Sequence, residues 1–185
     1  MKVTVLFASP RKNGVTADVL ASFLGAFPKD TDIRLFDCFD LAPKSCTGCG
    51  QCEKTGRCFE RDLDELFAAA EDCDVLAVAT PVYNYSVPAP LKAIYDRCQP
   101  YYYKNFTGYD MQTNPNRKGF LFITAGRSGK DAFDIIKKQT GIFFKNLDIT
   151  YTCGRFFPGT DAAGFDRSLC RADDIVQVLL EGARV

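Results

Sequence analysis

The 185-residue chain contains no histidine and no tryptophan. The missing histidine removes His-based catalytic triads, HExxH zinc sites and the commonest acid–base side chain. Any proton transfer then falls to carboxylates, Tyr, Cys, Lys, water or a cofactor. Net charge is absent as well: 23 basic residues balance 23 acidic ones, which gives no support for a nucleic-acid or anionic-membrane partner. No apolar run approaches membrane-spanning length. No GxGxxG follows the first apolar run, which argues against a dinucleotide there. Gly126-Arg127-Ser128-Gly129-Lys130 fails as a Walker loop, because the spacing is short and Asp131 stands where Ser or Thr would bind magnesium. There is no internal repeat. The N-terminus runs straight into an apolar strand with no leader pattern, so a reducing, cytoplasmic setting is the expectation. In that setting the glycosylation-type matches Asn84-Tyr85-Ser86 and Asn105-Phe106-Thr107 carry no meaning.

What is present is an alternation of strands and helices over a 46% apolar composition. That length and apolar content fit one domain across residues 1–185 with a sizeable core. Residues 1–8 (MKVTVLFA) form a first strand, and a helix follows with Leu20, Phe23, Leu24 and Phe27 on one face. Residues 32–37 alternate around Ile33, Leu35 and Phe36 as a second strand. Asp62 is placed to cap a helix, with Glu65 closing the box and Leu63, Leu66, Phe67 and Ala70 inward. The acidic residues of 60–74 read mainly as its solvated surface, with a docking patch as the lesser reading. Residues 75–79 (VLAVA) form a continuous apolar strand, as expected when helices cover both faces. A helix follows with Leu91, Ile94, Tyr95 and Cys98 inward. Residues 120–124 (FLFIT) make the next strand, and 131–139 the next helix, with Gly141 expected to end it. Residues 147–153 read as an edge strand, 154–166 as a loop and 171–180 as a closing helix. Two stretches lack periodicity: a cysteine-rich excursion at 38–61 and an aromatic one at 99–118 with Tyr101, Tyr102, Tyr103, Phe106 and Tyr109. Such long excursions usually have a use. The aromatic one reads as a self-packed loop, a lid or a subunit contact.

Right-handed crossovers would bring the loops after strands one, three and four to one rim, where open α/β sheets bind ligands. The first, Ser9–Thr16, opens a helix, whose free N–H groups and positive end favour an anion. Ser9, Asn13 and Thr16 add neutral donors, and Arg11 adds charged ones. An ordinary solvated turn is the alternative for this loop taken alone. The second, Pro81–Val87, offers a Pro-fixed backbone, the Tyr83 ring and the Asn84 amide: a stacking surface with in-plane hydrogen bonds, as a planar heterocycle requires. The third, with Gly126 and Gly129, allows close backbone approach. A phosphate end and a planar end together imply a mononucleotide.

Nine cysteines are many for this length, and Cys46, Cys49, Cys52 and Cys58 lie within thirteen residues in a C-x2-C-x2-C-x5-C run. In a reducing compartment such a run suggests a metal or redox site. Four thiolates suit a [4Fe–4S] cluster, and Gly48, Gly50 and Gly56 let the backbone wrap close. A four-thiolate zinc site and free thiols or disulfides are the alternatives. Cys38, Cys73, Cys98, Cys153 and Cys170 read as small core hydrophobes.

These segments resemble the FMN-dependent branch of the flavodoxin-like superfamily: NAD(P)H-dependent FMN or quinone reductases, and especially the iron–sulfur flavoproteins. The resemblance rests on Ser9–Thr16 (SPRKNGVT), Cys46–Cys58 (CTGCGQCEKTGRC) and Thr80–Asn84 (TPVYN), with Leu91-Lys92 and Asp96-Arg97 in the following helix. It covers most of 1–98 and, more loosely, 119–181. It implies a doubly wound five-stranded parallel sheet of order 2-1-3-4-5 with helices on both faces. It implies FMN bound through its phosphate by Ser9, Arg11, Lys12, Asn13, Gly14, Val15 and Thr16. The ring would be held by Pro81, Val82, Tyr83 and Asn84, with Ala125 and Gly126 in the more variable third loop. It also implies NAD(P)H as electron donor, a small-molecule or protein acceptor, a [4Fe–4S] cluster on Cys46, Cys49, Cys52 and Cys58, and a homodimer or tetramer. The activity expected is FMN-dependent oxidoreduction, with a non-enzymatic electron carrier or regulatory module as the rival. Residues 99–118 match no fixed motif of the family.

Overall fold

A computed structural model describes residues 1–105, 113–127 and 129–182. In chain order the elements are β1 (Lys2–Phe7), α1 (Val15–Gly25), β2 (Asp32–Asp37), α2 (Cys38–Leu41), α3 (Gln51–Thr55), α4 (Asp64–Asp72), β3 (Val75–Pro81), α5 (Ala89–Asp96), α6 (Gln99–Asn105), β4 (Asn114–Ala125), α7 (Lys130–Asn146), β5 (Ile149–Pro158), a 3₁₀ turn (Arg167–Leu169) and α8 (Asp173–Gly182). The five strands form one sheet in the order β2-β1-β3-β4-β5, all parallel. This is the doubly wound arrangement that the resemblance implied.

Strand periodicity divides the core. Leu6, Leu76, Val78, Leu121 and Ile123 face α4, α5 and α7. Val3, Val5, Phe7, Val75, Ala77, Phe120 and Phe122 face α1 and α8. Because successive side chains point to opposite faces, the central strands are apolar over most of their length, and the buried Thr4 hydroxyl of β1 donates to Ala69 O (3.1 Å). The flank is different: β2 leaves Ile33 and Leu35 exposed, as an edge strand with incomplete cover. Arg117 fastens the far end of the sheet, donating to the carbonyls of Cys73 (3.1 Å) and Leu147 (2.7 Å).

Several sequence expectations need correction. The helix expected over 131–139 does not stop at Gly141; α7 runs on to Asn146. Glycine costs a helix about 1 kcal/mol, but Phe143 and Phe144 continue the buried stripe beyond it, and that burial wins. Asp62 does not cap α4: Leu63 occupies the cap position without a side-chain bond, while Asp62 accepts from Lys44 N (2.9 Å) and Arg97 Nη2 (2.8 Å). The 99–118 excursion is shorter than expected. It begins as α6 and ends within β4, and Tyr101 of α6 packs on Phe67 at 5.2 Å between ring centroids. Phe106 and Tyr109 lie outside the described residues. The cysteine-rich stretch contains α2 and α3. Residues 154–158, expected in a loop, belong to β5, where Gly154 pairs with Leu121. The last helix starts at Asp173 rather than 171. Among the described residues, no helix is long and apolar enough to cross a membrane.

Gly119 shows how tightly β4 packs under α7. A Cβ there would overlap the Phe144 ring. Gly119→Ala is expected to lower stability by about 1–3 kcal/mol through overpacking, read as a lower urea midpoint at unchanged slope.

Candidate functional site

The carboxyl ends of β1, β3, β4 and β5 surround a cleft of about 570 Å³, within the range of small-molecule and cofactor sites. Its floor is fixed by backbone bonds that carry pairing past the strand ends: Ala8 N donates to Ala79 O (2.8 Å) and Val82 N to Thr124 O (2.9 Å). Ser9 is buried, and its Oγ accepts from Arg11 N (3.2 Å). Gly14 N then donates to Arg11 O (3.1 Å), closing a tight turn. A Cβ on Gly14 would sit 3.1 Å from Arg11 Cβ and 3.3 Å from Arg11 O, so the turn favours glycine. Gly14 is also the cap residue of α1, and no side chain caps the helix there. The positive end of α1 therefore opens on the cleft. Thr16 Oγ1 lies 2.7 Å from Thr124 Oγ1, both side chains buried, which ties the first turn of α1 to the end of β4.

The second wall is the loop after β3. Pro81 ends the strand in register with Thr124, and residues 83–86 make a tight turn in which Tyr83 and Ser86 exchange backbone bonds of 2.8 Å. Tyr83 lines the cleft and is 45% exposed. Of the residues expected at the site, Ser9, Arg11, Asn13, Gly14, Val15, Thr16, Pro81, Val82, Tyr83 and Gly126 line this one cleft. Three do not line it. Lys12 turns away to Asp37 and Asp40. Asn84 stands exposed at the turn tip with a φ of 49°. Ala125 is buried in the strand, where its carbonyl accepts from Thr160 N at 3.0 Å.

Sequence reasoning missed the loop after β5. Thr160, Asp161, Ala162, Gly164, Phe165 and Arg167 complete the cleft. Arg167 reaches back to the first loop, donating to Asn13 O (2.8 Å) and Asp18 Oδ2 (2.6 Å). A Cβ on Gly126 would overlap the Asp161 carboxylate, so that glycine makes room for this loop. Nothing local in 159–167 announces the contact, since Arg167 meets Asp18 across 149 residues.

Cys46, Cys49, Cys52 and Cys58 line a separate cleft of about 520 Å³ with Arg97 and Tyr103. Gly48, Gly50 and Gly56 all adopt left-handed backbone, φ 66–70°, with open space where a Cβ would stand. Backbone conformation, not close packing, is what they supply. Among the described residues, no group of three or more Cys, Asp or Glu side chains is gathered closely enough to hold a metal ion. The donor chemistry suits a cluster; the geometry does not yet converge on one. All nine cysteines are free thiols. Burial pushes the Cys38 and Cys98 thiols up to about 12.

Arg97 anchors this cysteine-bearing segment. It is 2% exposed and donates to Cys58 Sγ (3.0 Å), Lys44 O (2.9 Å), Glu60 O (2.7 Å) and Asp62 Oδ1 (2.8 Å). Burial raises the Asp62 carboxyl, but the Arg97 guanidinium and the Lys44 amide outweigh it and hold the group below its usual range.

With the geometry in view, the class is a flavodoxin-like α/β protein with an anion-favouring, aromatic-walled cleft at the strand ends. The chain belongs to the NADPH-dependent FMN reductase family, whose sequence model matches residues 1–150, a family of FMN-binding oxidoreductases. An iron–sulfur flavoprotein of Archaeoglobus fulgidus is 36% identical over 107 residues, 55% of this chain and 47% of that protein. One from Methanosarcina thermophila is 33% identical over 110 residues, 57% and 56% of the two chains. These alignments thus take in about half the length of the curated relatives. Among solved structures, the NAD(P)H:quinone oxidoreductase from Methanothermobacter marburgensis superposes with a TM-score of 0.68 at 18% identity, covering 92% of this chain and 90% of that one. An FMN-dependent NADH-azoreductase from Bacillus anthracis in complex with FMN gives 0.63 at 15% identity, covering 100% and 99%. At such identities these structures bear on the fold alone.

Three outcomes follow from the packing around the cysteines. Iodoacetamide on the native, metal-free protein is expected to label Cys46 and Cys49 while sparing Cys38 and Cys98, read by peptide mass spectrometry. Arg97→Met leaves Asp62 and three other acceptors without their buried partner and is expected to cost about 3–5 kcal/mol. A depressed carboxyl contributes stability above its unfolded pKa and loses it as pH falls through the folded one. The penalty of Asp62→Asn should therefore be full at neutral pH and shrink below about pH 4, measured by urea unfolding across that window.

Proposed function

We propose that the chain is an FMN-dependent oxidoreductase that takes two electrons from NAD(P)H and passes them to an external acceptor. The overall reaction is NAD(P)H + H⁺ + acceptor → NAD(P)⁺ + reduced acceptor, with two electrons and two hydrogens entering the acceptor. The observation that carries the reading is the uncapped N-terminus of α1 opening on the cleft that Pro81–Tyr83 wall on the far side. The donors present fit a phosphate: the Val15 and Thr16 amides at the start of α1, the Ser9 and Thr16 hydroxyls, and the charged Arg11. Arg167 and Asp18, paired with each other, hold the first loop in position. The backbone at Pro81–Tyr83 would orient the ring, with Tyr83 shielding one side from water. FMN, when bound, supplies the hydride and electron chemistry. Without histidine, the proton is taken from water or the rim. Ser9, Arg11, Asn13, Gly14, Val15 and Thr16 are assigned to the phosphate, Pro81, Val82 and Tyr83 to the ring, and Gly126 to its edge. Lys12, Asn84 and Ala125 shape these loops without reaching the cleft, Lys12 through its ion pairs with Asp37 and Asp40. Nine free thiols fit a reducing, cytoplasmic setting.

A second reading adds a [4Fe–4S] cluster on Cys46, Cys49, Cys52 and Cys58. It is favoured by the single cleft that the four share and by the iron–sulfur flavoprotein names of the relatives. No electron step is routed through it. Iron and sulfide contents of an anaerobic preparation decide it: about four of each per chain supports the cluster, and zinc or neither removes it.

Thr16→Val keeps the side-chain volume and deletes one hydroxyl donor. It is expected to weaken FMN binding about 10- to 100-fold, the range for a hydrogen bond to a charged group, read by flavin fluorescence titration. Stopped-flow mixing of the FMN-loaded protein with NADPH and NADH tests the reaction. Rapid bleaching of the flavin band is expected with one or both; reduction only by a protein donor would favour the carrier instead.

A further inference from the structure

The turn that walls the cleft carries an unexplained cost. Tyr83–Ser86 closes with reciprocal backbone bonds of 2.8 Å, and both central residues are left-handed, Asn84 at φ 49° and Tyr85 at φ 59°. This mirror-image turn strongly favours Asn-Gly or Asp-Gly. Asn84 suits its place, since a short polar side chain tolerates left-handed backbone. Tyr85 stands where glycine is favoured, and a bulky residue there is strained. Ser86 Oγ lies 3.4 Å from Gln139 Oε1 on α7, so the turn is tethered from outside.

Among the described residues, nothing offsets that strain. Tyr85 is 54% exposed, and among the described residues its side chain makes no hydrogen bond, ion pair or ring contact. It does not line the cleft, yet it follows by two residues the Tyr83 that does. Two exposed tyrosines therefore stand on the one turn that walls the cleft. Strain held at a cleft without a packing return is the pattern of a residue kept for what it binds.

We infer that Tyr85 is a specificity-determining side chain, a stacking platform at the cleft mouth for a planar aromatic electron acceptor. The inference rests on the FMN reading above and adds a residue and an acceptor shape to it. The ring recognises the flat face of the acceptor, and offset stacking aligns it over the cleft. In the transfer, two electrons and two protons leave the reduced cofactor and enter the acceptor, so that a quinone becomes its diol.

The test uses the FMN-loaded full chain, reduced with one equivalent of dithionite and mixed with menadione or ferricyanide in stopped flow. Menadione is flat; ferricyanide is an octahedral ion with no ring face. Tyr85→Gly relieves the turn and is expected to raise Tm by about 2–4 °C. The same change should raise the half-saturating menadione concentration about 3- to 10-fold, as loss of one stacked ring predicts. FMN affinity and the ferricyanide rate should stay as in the wild type. Tyr85→Phe keeps the ring and should match the wild type in both menadione response and Tm. A Gly variant with unchanged menadione saturation overturns the platform while leaving the FMN site standing. A Gly variant that changes only the oligomeric state, by sedimentation, overturns it in favour of a subunit contact. A wild-type protein that holds no FMN fails at the titration, before any acceptor is added, and overturns both readings.

Discussion

The N-terminus of α1 begins on a glycine and is left without a side-chain cap. Ala17 N is answered by Gly14 O at 2.9 Å, but among the described residues no side chain answers the positive end of the dipole. The rest of the site is arranged around that open end. The turn from Ser9 to Gly14 brings it up tightly against the end of β1, the Thr16–Thr124 contact fixes it to β4, and Arg167 ties the loop after β5 across it. The parallel sheet makes this possible, because order β2-β1-β3-β4-β5 sends the loops after β1, β3 and β4 to one rim.

Stability and binding are separated in this molecule. Toward their carboxyl ends the central strands are buried on both faces and mostly apolar, so they hold the rim rigid. The rim itself carries the costs: an uncapped helix, a left-handed Tyr85 and the Asp161 carboxylate seated over Gly126. The cysteine-bearing segment follows a different plan. It is not part of the two core layers; Arg97 holds it from α5 through four acceptors on Lys44, Cys58, Glu60 and Asp62. A buried guanidinium is a directional fastener, and it fixes one sulfur, Cys58, more firmly than the exposed Cys46 and Cys49.

The parts legible in the sequence were those set by local chemistry. An apolar run ending at Ser9 announces a strand end and a helix start, and Thr80–Asn84 does the same for the second wall. Strand spacing announced the layers. What was not legible depended on distant partners. Asp62 looks like a helix cap until Arg97, 35 residues away, claims it. Gly141 looks like a helix stop until Phe143 and Phe144 find the core beyond it. The loop from Thr160 to Arg167 looks featureless, because its place in the site is decided by Asn13, Asp18 and Gly126. Tyr85 could have been flagged: Asn84-Tyr85 stands where a hairpin turn wants Asn-Gly, but only the turn geometry shows that such a turn is there.

The central claim is that the open end of α1 holds the phosphate of FMN. Equilibrium titration of the apoprotein with FMN and with riboflavin, which differ only in that phosphate, tests it directly. The account predicts that FMN binds at least about tenfold more tightly, since charge-assisted hydrogen bonds to phosphate contribute well over 1 kcal/mol, and that Thr16→Val narrows the gap. Equal affinity for the two would contradict it.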